Sequence, residues 1–201
     1  AGLLGSTDVA ATRRRTKPDS KWAGVQVGMN VPYNFANNSM SGDETLARCV
    51  ELGISAVELR SQPVEMFLGS PAFAPGAAPP ARGRGPVTPE QQAQQQAAAE
   101  ALRKWRLAAP VSKARDFRKR WEDAGVLIQI VKFDWLSPLP SDDVLDYCFE
   151  VAKTLGARAI STEMPVAAMD DTKRLGQAAD RHKIMVGYHG HTAVTPAIWE
   201  Q

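Results

Sequence analysis

Short apolar runs alternate along the chain with longer segments in which apolar residues recur every three or four positions. A short apolar run bounded by turn residues is typical of a buried strand, and the longer period is typical of a helix with one buried face. The runs predict strands at 25–30, 56–59, 126–133, 157–163 and 184–189.

Helices are predicted between these strands from their caps and their apolar spacing. Ser41 and Glu44 have the spacing of a capping box, and glycines stand at three joints from helix to strand, Gly53, Gly125 and Gly156. Glycine can take the left-handed conformation that ends a helix without steric cost. Helices are predicted at 45–52, from 88 onward, at 114–124, from 142 or 143 to 155, from 170 onward and from 195 onward.

The spacing of these elements defines the fold class. Strands that alternate with helices every 30 residues or so pair in parallel, so the class is α/β. The loop 30–38 has neither a G-x-G-x-x-G pattern nor a Walker motif, and its Asn and Tyr residues suit a polar small molecule. Because a full (β/α)8 TIM barrel takes about 250 residues, a partial barrel with the first five βα units is predicted. An open five-stranded sheet is the alternative.

The ends of the chain differ from its repeating part. Residues 1–20 combine a small, apolar start with a basic run, and they are predicted to be an N-terminal tail or the remnant of an export signal. The protein is expected to be exported or periplasmic in the second case and cytoplasmic in the first. Since the chain starts with Ala1 and stops at Gln201 in an opening helix, 21–201 is expected to be part of a longer barrel.

One segment interrupts the regular spacing. Residues 63–110 contain a Pro- and Gly-rich part, predicted to be a loop, and then a Gln- and Ala-rich part, predicted to be a helix. Long insertions on such a scaffold usually border the active-site face, so the segment is expected either to serve the site or to be a surface loop without a role.

Composition and charge narrow the classes of function. The 201 residues include 24 Lys and Arg and 22 Asp and Glu, a net charge of +2, which argues against a dedicated nucleic-acid-binding protein. No stretch has the roughly 20 apolar residues of a membrane span. Cys49 and Cys148 lie on apolar helix faces and are predicted to be core residues. The expected partner is a small molecule, and self-association into a homo-oligomer is compatible with this composition.

Polar and aromatic residues stand at the carboxyl-terminal ends of the predicted strands, where active sites of such barrels lie. Asn30, Tyr33, Glu58, Arg60 and Tyr188 are predicted to bind substrate. Glu58 lies within an apolar strand, where an unpaired charge would be costly. It is therefore expected either to pair with an arginine or to point into the site.

Glu163 and Lys132 are the predicted catalytic residues. Glu163 would act as a general base or as a metal ligand, because enolisation of a sugar needs a carboxylate near the proton that is removed. Lys132 would stabilise an enediolate oxygen by its charge. The alternative is structural: Glu163 pairs with Lys132 or another cation, and Lys132 pairs with Glu163 or Asp134.

The run Tyr-His-Gly-His at the end of the fifth strand contains His189 and His191. Residues two positions apart in an extended chain point to the same side, and imidazole is a common ligand of divalent metals. With Glu163 from the neighbouring strand, the two histidines are predicted to form part of a metal site. The alternative is that one histidine is a hydrogen-bonded structural residue and the other contacts the substrate.

Several segments together resemble the xylose isomerase-like TIM barrels, which form the broad sugar phosphate isomerase/epimerase superfamily. The Tyr-His-x-His strand end, followed by Thr-Pro at a helix start, is the more specific part of this likeness. It runs from about residue 22 to the end of the chain and lies in 22–30, 52–59, 125–132, 155–163 and 186–191.

The resemblance implies a divalent metal ion, Mn, Mg, Co or Zn, held by carboxylates and histidine, and proton transfer next to a sugar carbonyl through an enediolate. Metal ligands of the family commonly come from the fifth to the eighth strands, so only His189 or His191 corresponds to one here. Many members have a glutamate at that position. The other ligands would lie beyond Gln201, so this chain alone is not expected to hold a complete site.

The sequence therefore predicts a sugar or sugar phosphate isomerase or epimerase that acts on a small-molecule sugar or sugar derivative. Two alternatives stay open. One is a metal-dependent lyase or hydratase of keto-sugars or inositols on the same scaffold, and the other is a non-catalytic carbohydrate-binding barrel.

Overall fold

A computed structural model of the protein describes residues 17–35, 39–74, 88–136, 138–163 and 169–190. The strands are β1 (Lys21–Trp22), β2 (Val25–Gln26), β3 (Met29–Val31), β4 (Ala56–Arg60), β5 (Leu127–Lys132), β6 (Ala159–Glu163) and β7 (Met185–His189). The helices are α1 (Gly42–Glu51), α2 (Ser61–Phe67), α3 (Pro89–Ala108), α4 (Ala114–Ala124), α5 (Asp142–Thr154) and α6 (Met169–His182), with short 3-10 turns at Tyr33–Phe35, Pro71–Phe73 and Val111–Lys113.

The strands β3 to β7 form one parallel sheet in the same order as in the chain, and β1 and β2 form a separate antiparallel hairpin. Parallel neighbours need crossover connections, which the helices between the strands supply. The predicted α/β class and the parallel pairing are confirmed. Closure into a barrel remains a prediction.

The glycines at the predicted joints adopt the left-handed conformation. Gly53, Gly125 and Gly156 have φ angles of 74°, 86° and 76°, just beyond the ends of α1, α4 and α5. A side chain is strained at such angles, whereas glycine is not. The three helix-to-strand joints are therefore confirmed.

The first predicted strand, 25–30, divides between two sheets. Ala23 and Gly24 have φ angles of 48° and 83°, and two consecutive positive φ angles favour a tight hairpin, here between β1 and β2. The strand β3 begins only after Gly28, where an added Cβ would lie 3.1 Å from the carbonyl oxygen of Ala56. The absence of a side chain at Gly28 thus lets the backbone approach β4 closely.

The inserted segment begins with a helix where a loop is predicted. The helix α2 starts at Ser61, directly after β4, and has Pro63 in its first turn, where a missing N–H leaves no hydrogen bond unmade. The loop prediction is therefore wrong for 63–67. The Gln- and Ala-rich helix is confirmed as α3, which begins after a capping box at Thr88. The rest of the predicted loop, 75–87, lies outside the described residues.

The helix α3 is the longest described helix, with 20 residues, and none of them is buried. Its residues from Pro89 to Ala101 are all exposed, and its contacts with the rest of the protein come from its C-terminal turns, which include Trp105 and Arg106. No helix in the described ranges is both long and apolar enough to cross a membrane.

An irregularity in β5 brings Ile128 and Val131 to the same face of the sheet. The register with β4 skips Gln129, an extra residue between the paired positions Ile128 and Ile130. Such a bulge shifts the alternation of side chains by one position. Ile128 and Val131 are consequently both buried in the core although they are three positions apart, and Lys132 lies on the opposite face.

The apolar core lies between one face of the sheet and the helices. Phe117 and Trp121 of α4 stack with ring centroids 5.5 Å apart, and Phe67 of α2 meets the Phe117 ring edge-on at 5.4 Å. Both cysteines are buried in this core, as predicted, and burial raises the pKa of the Cys49 thiol to about 12. A thiol of this kind stays protonated at neutral pH and is inert.

Gly42, at the start of α1, packs directly on Phe117, since an added Cβ would lie 2.2 Å from Cε2 of that ring. Gly42→Ala is expected to lower the free energy of unfolding by about 1–3 kcal/mol, as overpacking of a core does. Gly176→Ala in α6 is the matched control, because no atom lies within 4 Å of its added Cβ. This control is expected to gain about 0.5–1 kcal/mol from helix propensity. Urea denaturation measures both, and a gain in both variants would contradict the packing argument.

Candidate functional site

Polar side chains line one face of the sheet at the carboxyl-terminal ends of its strands. Side chains alternate between the faces of a strand, so residues paired in register share a face. The opposite face carries Leu59, Val131 and Ile160, which belong to the apolar core. The parallel register brings seven polar residues side by side on one face, which we call the polar face: Asn30, Glu58, Arg60, Lys132, Ser161, Glu163 and His189.

Glu58, in β4, accepts hydrogen bonds from two other strands. Asn30 Nδ2 of β3 donates to its Oε2 at 2.7 Å, and the Ser161 hydroxyl of β6 donates to its Oε1. The second bond passes over β5 and joins two strands that are not paired with each other. Glu58 therefore lies on the polar face with an amide and a hydroxyl as its partners.

Arg60, at the end of β4, contacts three other side chains. Its Nη1 donates to Asp134 Oδ2 at 2.5 Å, its Nε donates to Asn30 Oδ1 at 3.4 Å, and its guanidinium carbon lies 4.4 Å from the centroid of the Tyr33 ring. Gln62 donates to the same Asp134 oxygen at 3.2 Å. Because 13% of the Arg60 side chain is exposed, this cation is mostly removed from water and depends on its partners.

Lys132, at the end of β5, is fully buried between two carboxylates. Its Nζ donates to Glu163 Oε1 at 2.8 Å and lies 3.7 Å from Asp134 Oδ1. The pairing predicted as the structural alternative is therefore present. It leaves 32% of the Glu163 side chain exposed, so this carboxylate can be reached from solvent while the lysine cannot.

Tyr188 and His189, which are consecutive in β7, lie on opposite faces of the sheet. The register pairs His189 with Glu163 and Tyr188 with Thr162. His189 therefore lies on the polar face next to Glu163, whereas alternation places Tyr188 on the face that carries Thr162. His191 lies outside the described residues, and its role as a metal ligand stays a prediction.

Three residues without a predicted site role join the network: Gln62, Asp134 and Ser161. Ser161 stands two positions before Glu163 on one strand, so alternation alone is a signal that it shares the face of Glu163. Gln62 belongs to α2, a helix that the sequence pattern does not predict, and no local signal points to it.

The described residues supply part of what a divalent metal site needs. Glu163 and His189 are neighbours in register, and carboxylate oxygen and imidazole nitrogen are both ligands of such ions. Among the residues that the structure describes, no group of three or more His, Cys, Asp and Glu side chains is arranged to hold a metal ion. These donors do not complete a site, and metal binding remains a prediction.

A second polar cluster lies beside the loop that follows β5. Arg106 of α3 donates to Glu65 of α2 through Nε at 3.0 Å and Nη2 at 3.5 Å, and the Tyr147 hydroxyl donates to the same carboxylate at 3.4 Å. The guanidinium carbon of Arg106 lies 3.4 Å from the centroid of a ring of Trp135. Since Trp135 directly follows Asp134, this cluster connects the inserted helix to the polar face.

The arrangement of these elements is similar to that in two solved structures from Parabacteroides distasonis ATCC 8503. One, an uncharacterized protein, has a TM-score of 0.51 and 13% sequence identity over 87% of this chain and 57% of that chain. The other, a sugar phosphate isomerase/epimerase, has a TM-score of 0.44 and 16% identity over 87% of this chain and 54% of that chain. No protein-family model and no curated protein matches the sequence.

The likeness to the first structure is a likeness of fold. This chain spans 57% of the length of that protein and 54% of the length of the second one. Function therefore has to be argued from the side chains of the polar face.

Proposed function

We propose that this chain is part of an enzyme that moves a proton next to the carbonyl group of a sugar or sugar derivative, as an isomerase or epimerase does. The observation that carries the proposal is the pair at adjacent strand ends, where the buried Lys132 ammonium lies 2.8 Å from the partly exposed Glu163 carboxylate. A fixed cation beside a base suits a reaction in which negative charge develops on an oxygen as a proton leaves the neighbouring carbon.

In the proposed reaction Glu163 removes the proton from the carbon next to the carbonyl and returns it to the same or the neighbouring carbon. Because Lys132 is fully buried, it stabilises the enediolate that forms between these two steps by its charge at a distance and not by direct contact. Because Lys132 Nζ also lies 3.7 Å from Asp134, its position is set by two carboxylates before any substrate arrives. Charge that is held in place in this way needs no reorganisation during the reaction.

The substrate hydroxyl groups are proposed to bind at the β3 and β4 side of the polar face. Asn30, Glu58 and Arg60 present an amide, a carboxylate and a guanidinium there, and Tyr33 adds a ring with 54% of its surface exposed. Convergent polar groups beside an exposed aromatic ring suit a small polar ligand with one apolar side.

The five parallel strands are proposed to belong to a (β/α)8 barrel. The support is the division of the sheet, with the helices and the apolar core on one face and the polar row on the other, and the sequential order of the strands. In a barrel the second face would be the interior, and the functional residues would stand at the carboxyl-terminal mouth.

A divalent ion, Mn, Mg, Co or Zn, is proposed as the cofactor, with His189 and His191 among its ligands. The support is the position of His189 on the polar face, beside Glu163. When bound, such an ion would polarise the carbonyl oxygen of the substrate.

The protein is expected to exchange the proton next to the carbonyl of at least one sugar with solvent. Incubation in D2O with a panel of free and phosphorylated aldoses and ketoses, followed by NMR, measures this exchange. Treatment with EDTA is expected to slow it and added Mn²⁺ to restore it, because the ion lowers the barrier to enolisation. Heat-denatured protein is the control.

The reaction products distinguish the proposed isomerase or epimerase from the alternative functions. Exchange without loss of water supports the isomerase or epimerase, whereas loss of water would identify a lyase or hydratase. Sugar binding without any exchange would overturn the proposed function in favour of a non-catalytic carbohydrate-binding barrel.

A further inference from the structure

We infer that the substrate of this site is an uncharged sugar or polyol and not a sugar phosphate. The inference rests on the proposed function and specifies its substrate class. Proton transfer is proposed at Glu163 and the hydroxyl groups of the substrate are proposed to bind near β3 and β4, so a substrate that spans the polar face has its far end there. The charges of that region decide whether the far end can carry a phosphate group.

Negative charge outweighs positive charge on the described part of this site. The carboxylates of Glu58, Asp134 and Glu163 stand against the cations of Arg60 and Lys132. A phosphate monoester carries about −1.5 to −2 charges at pH 7. It would therefore add like charge to a site that already has an excess of it, and an uncharged sugar would not.

Both of these cations are also engaged with groups of the protein. Arg60 donates to Asp134 through Nη1 and to Asn30 through Nε, and Tyr33 covers the face of its guanidinium. Lys132 contacts two carboxylates and is fully buried. Recognition of phosphate by arginine relies on two parallel N–H donors of its planar fork. A phosphate would have to displace Asp134 from Arg60 and leave that carboxylate with only Lys132, at 3.7 Å, as a cation.

Acceptor lone pairs that no protein group uses in this region suit the hydroxyl groups of a sugar. A sugar hydroxyl both donates and accepts, and a carboxylate oxygen has more than one lone pair. Glu58 therefore still has acceptor capacity beyond its bonds from Asn30 and Ser161. Near β3 and β4 the carboxylates of Glu58 and Asp134 still outnumber the one cation of Arg60, because the proposed metal would lie at the β7 side.

Binding of matched ligand pairs tests the inference. D-fructose and D-fructose 6-phosphate, and D-xylulose and D-xylulose 5-phosphate, are titrated into the full protein by calorimetry after removal of metal ions. In at least one pair the free sugar is expected to bind about tenfold more tightly than its ester, or better. Inorganic phosphate is expected not to compete with the free sugar.

Asp134→Asn removes one negative charge and leaves Arg60 without its carboxylate partner. It is expected to reduce the preference for the free sugar by about tenfold. Asp123→Asn, in an exposed pair with Lys119, makes the same change of charge at the far end of α4, and it is expected to leave the preference unchanged. If Asp134→Asn does not fold, Glu58→Gln serves instead, since its amide oxygen can still accept hydrogen bonds.

Three results of these binding experiments would contradict the inference, and each has a different meaning. An ester that binds more tightly than its free sugar, and that also exchanges its proton, would overturn this inference and leave the proposed function standing. Binding of neither member of either pair, together with proton exchange on no sugar of the panel, would overturn both. A preference for the free sugar that Asp134→Asn and Asp123→Asn reduce equally would show a general effect of net charge, and it too would overturn the inference.

Discussion

An Arg106→Met variant is expected to be less stable than the wild type by about 3–5 kcal/mol at neutral pH, the usual loss when one partner of a buried ion pair is removed. Its partner Glu65 is 3% exposed and would keep only the Tyr147 hydroxyl, at 3.4 Å. Methionine retains an apolar stem that can still cover Trp135, so the loss should come mainly from the uncompensated carboxylate. Urea denaturation measures the free energy of unfolding.

The size of this loss is expected to depend on pH because of Glu65. Burial raises the pKa of Glu65 in the folded protein, and the charge of Arg106 opposes the shift. A carboxyl group with a raised folded pKa binds protons more tightly in the folded state, so stability falls as pH rises from the unfolded pKa through the folded one. Without Arg106 the folded pKa is higher still. The difference between variant and wild type should therefore widen from about pH 4 toward neutral pH and narrow on acidification.

Two further variants separate charge from packing. Arg48 pairs with Glu51 at 2.7 Å on the surface of α1, and Arg48→Met is expected to change stability by about 0–1 kcal/mol. The double variant Glu65→Gln with Arg106→Met removes both charges of this buried pair and should recover part of the loss. If the double variant were as unstable as Arg106→Met, and the loss were independent of pH, the ion-pair argument would be contradicted.

Local signals predict the elements of this fold well wherever the backbone conformation depends on one or two residues. Gly125 and Gly156 end helices because only glycine takes their φ angles without strain, and this requirement can be read from the sequence. The short helix at 61–67 could not be predicted in the same way. Its support is the burial of Pro63 and the packing of Val64 in the core, which are tertiary effects.

The part of the site that could be predicted is the set of residues at the carboxyl-terminal ends of the strands. The carboxyl ends of parallel strands meet at one edge, so the proximity of Lys132 and Glu163 follows from the strand assignment. The bond from Ser161 to Glu58 does not, because it crosses β5, whose side-chain alternation is shifted by the bulge at Gln129. A bulge has no sequence signal here, and so the contact between Ser161 and Glu58 could only come from the structure.

Glu163→Gln is expected to lower the rate of proton exchange on the sugar by about 10²–10⁴-fold, because an amide does not accept the proton. The amide oxygen can still accept the hydrogen bond that Lys132 now makes at 2.8 Å, but the ammonium would be balanced only by Asp134 at 3.7 Å. A loss of stability should therefore accompany the loss of exchange. Glu122→Gln, which removes a surface carboxylate paired with Arg118, is the matched control and should affect neither.

Glu163→Asp separates the proposed base from the ion-pair partner. Aspartate keeps the negative charge next to Lys132, so most of the stability should be retained, but it withdraws the carboxylate from the substrate. A misplacement of about 1 Å can reduce a rate 10²-fold, and a loss of that order in exchange is expected. A purely structural role would produce a different pattern, in which Glu163→Gln still loses stability but both variants exchange the proton at the wild-type rate. Because stability and exchange respond differently to the two substitutions, their comparison decides whether Glu163 only neutralises Lys132 or also carries the proton.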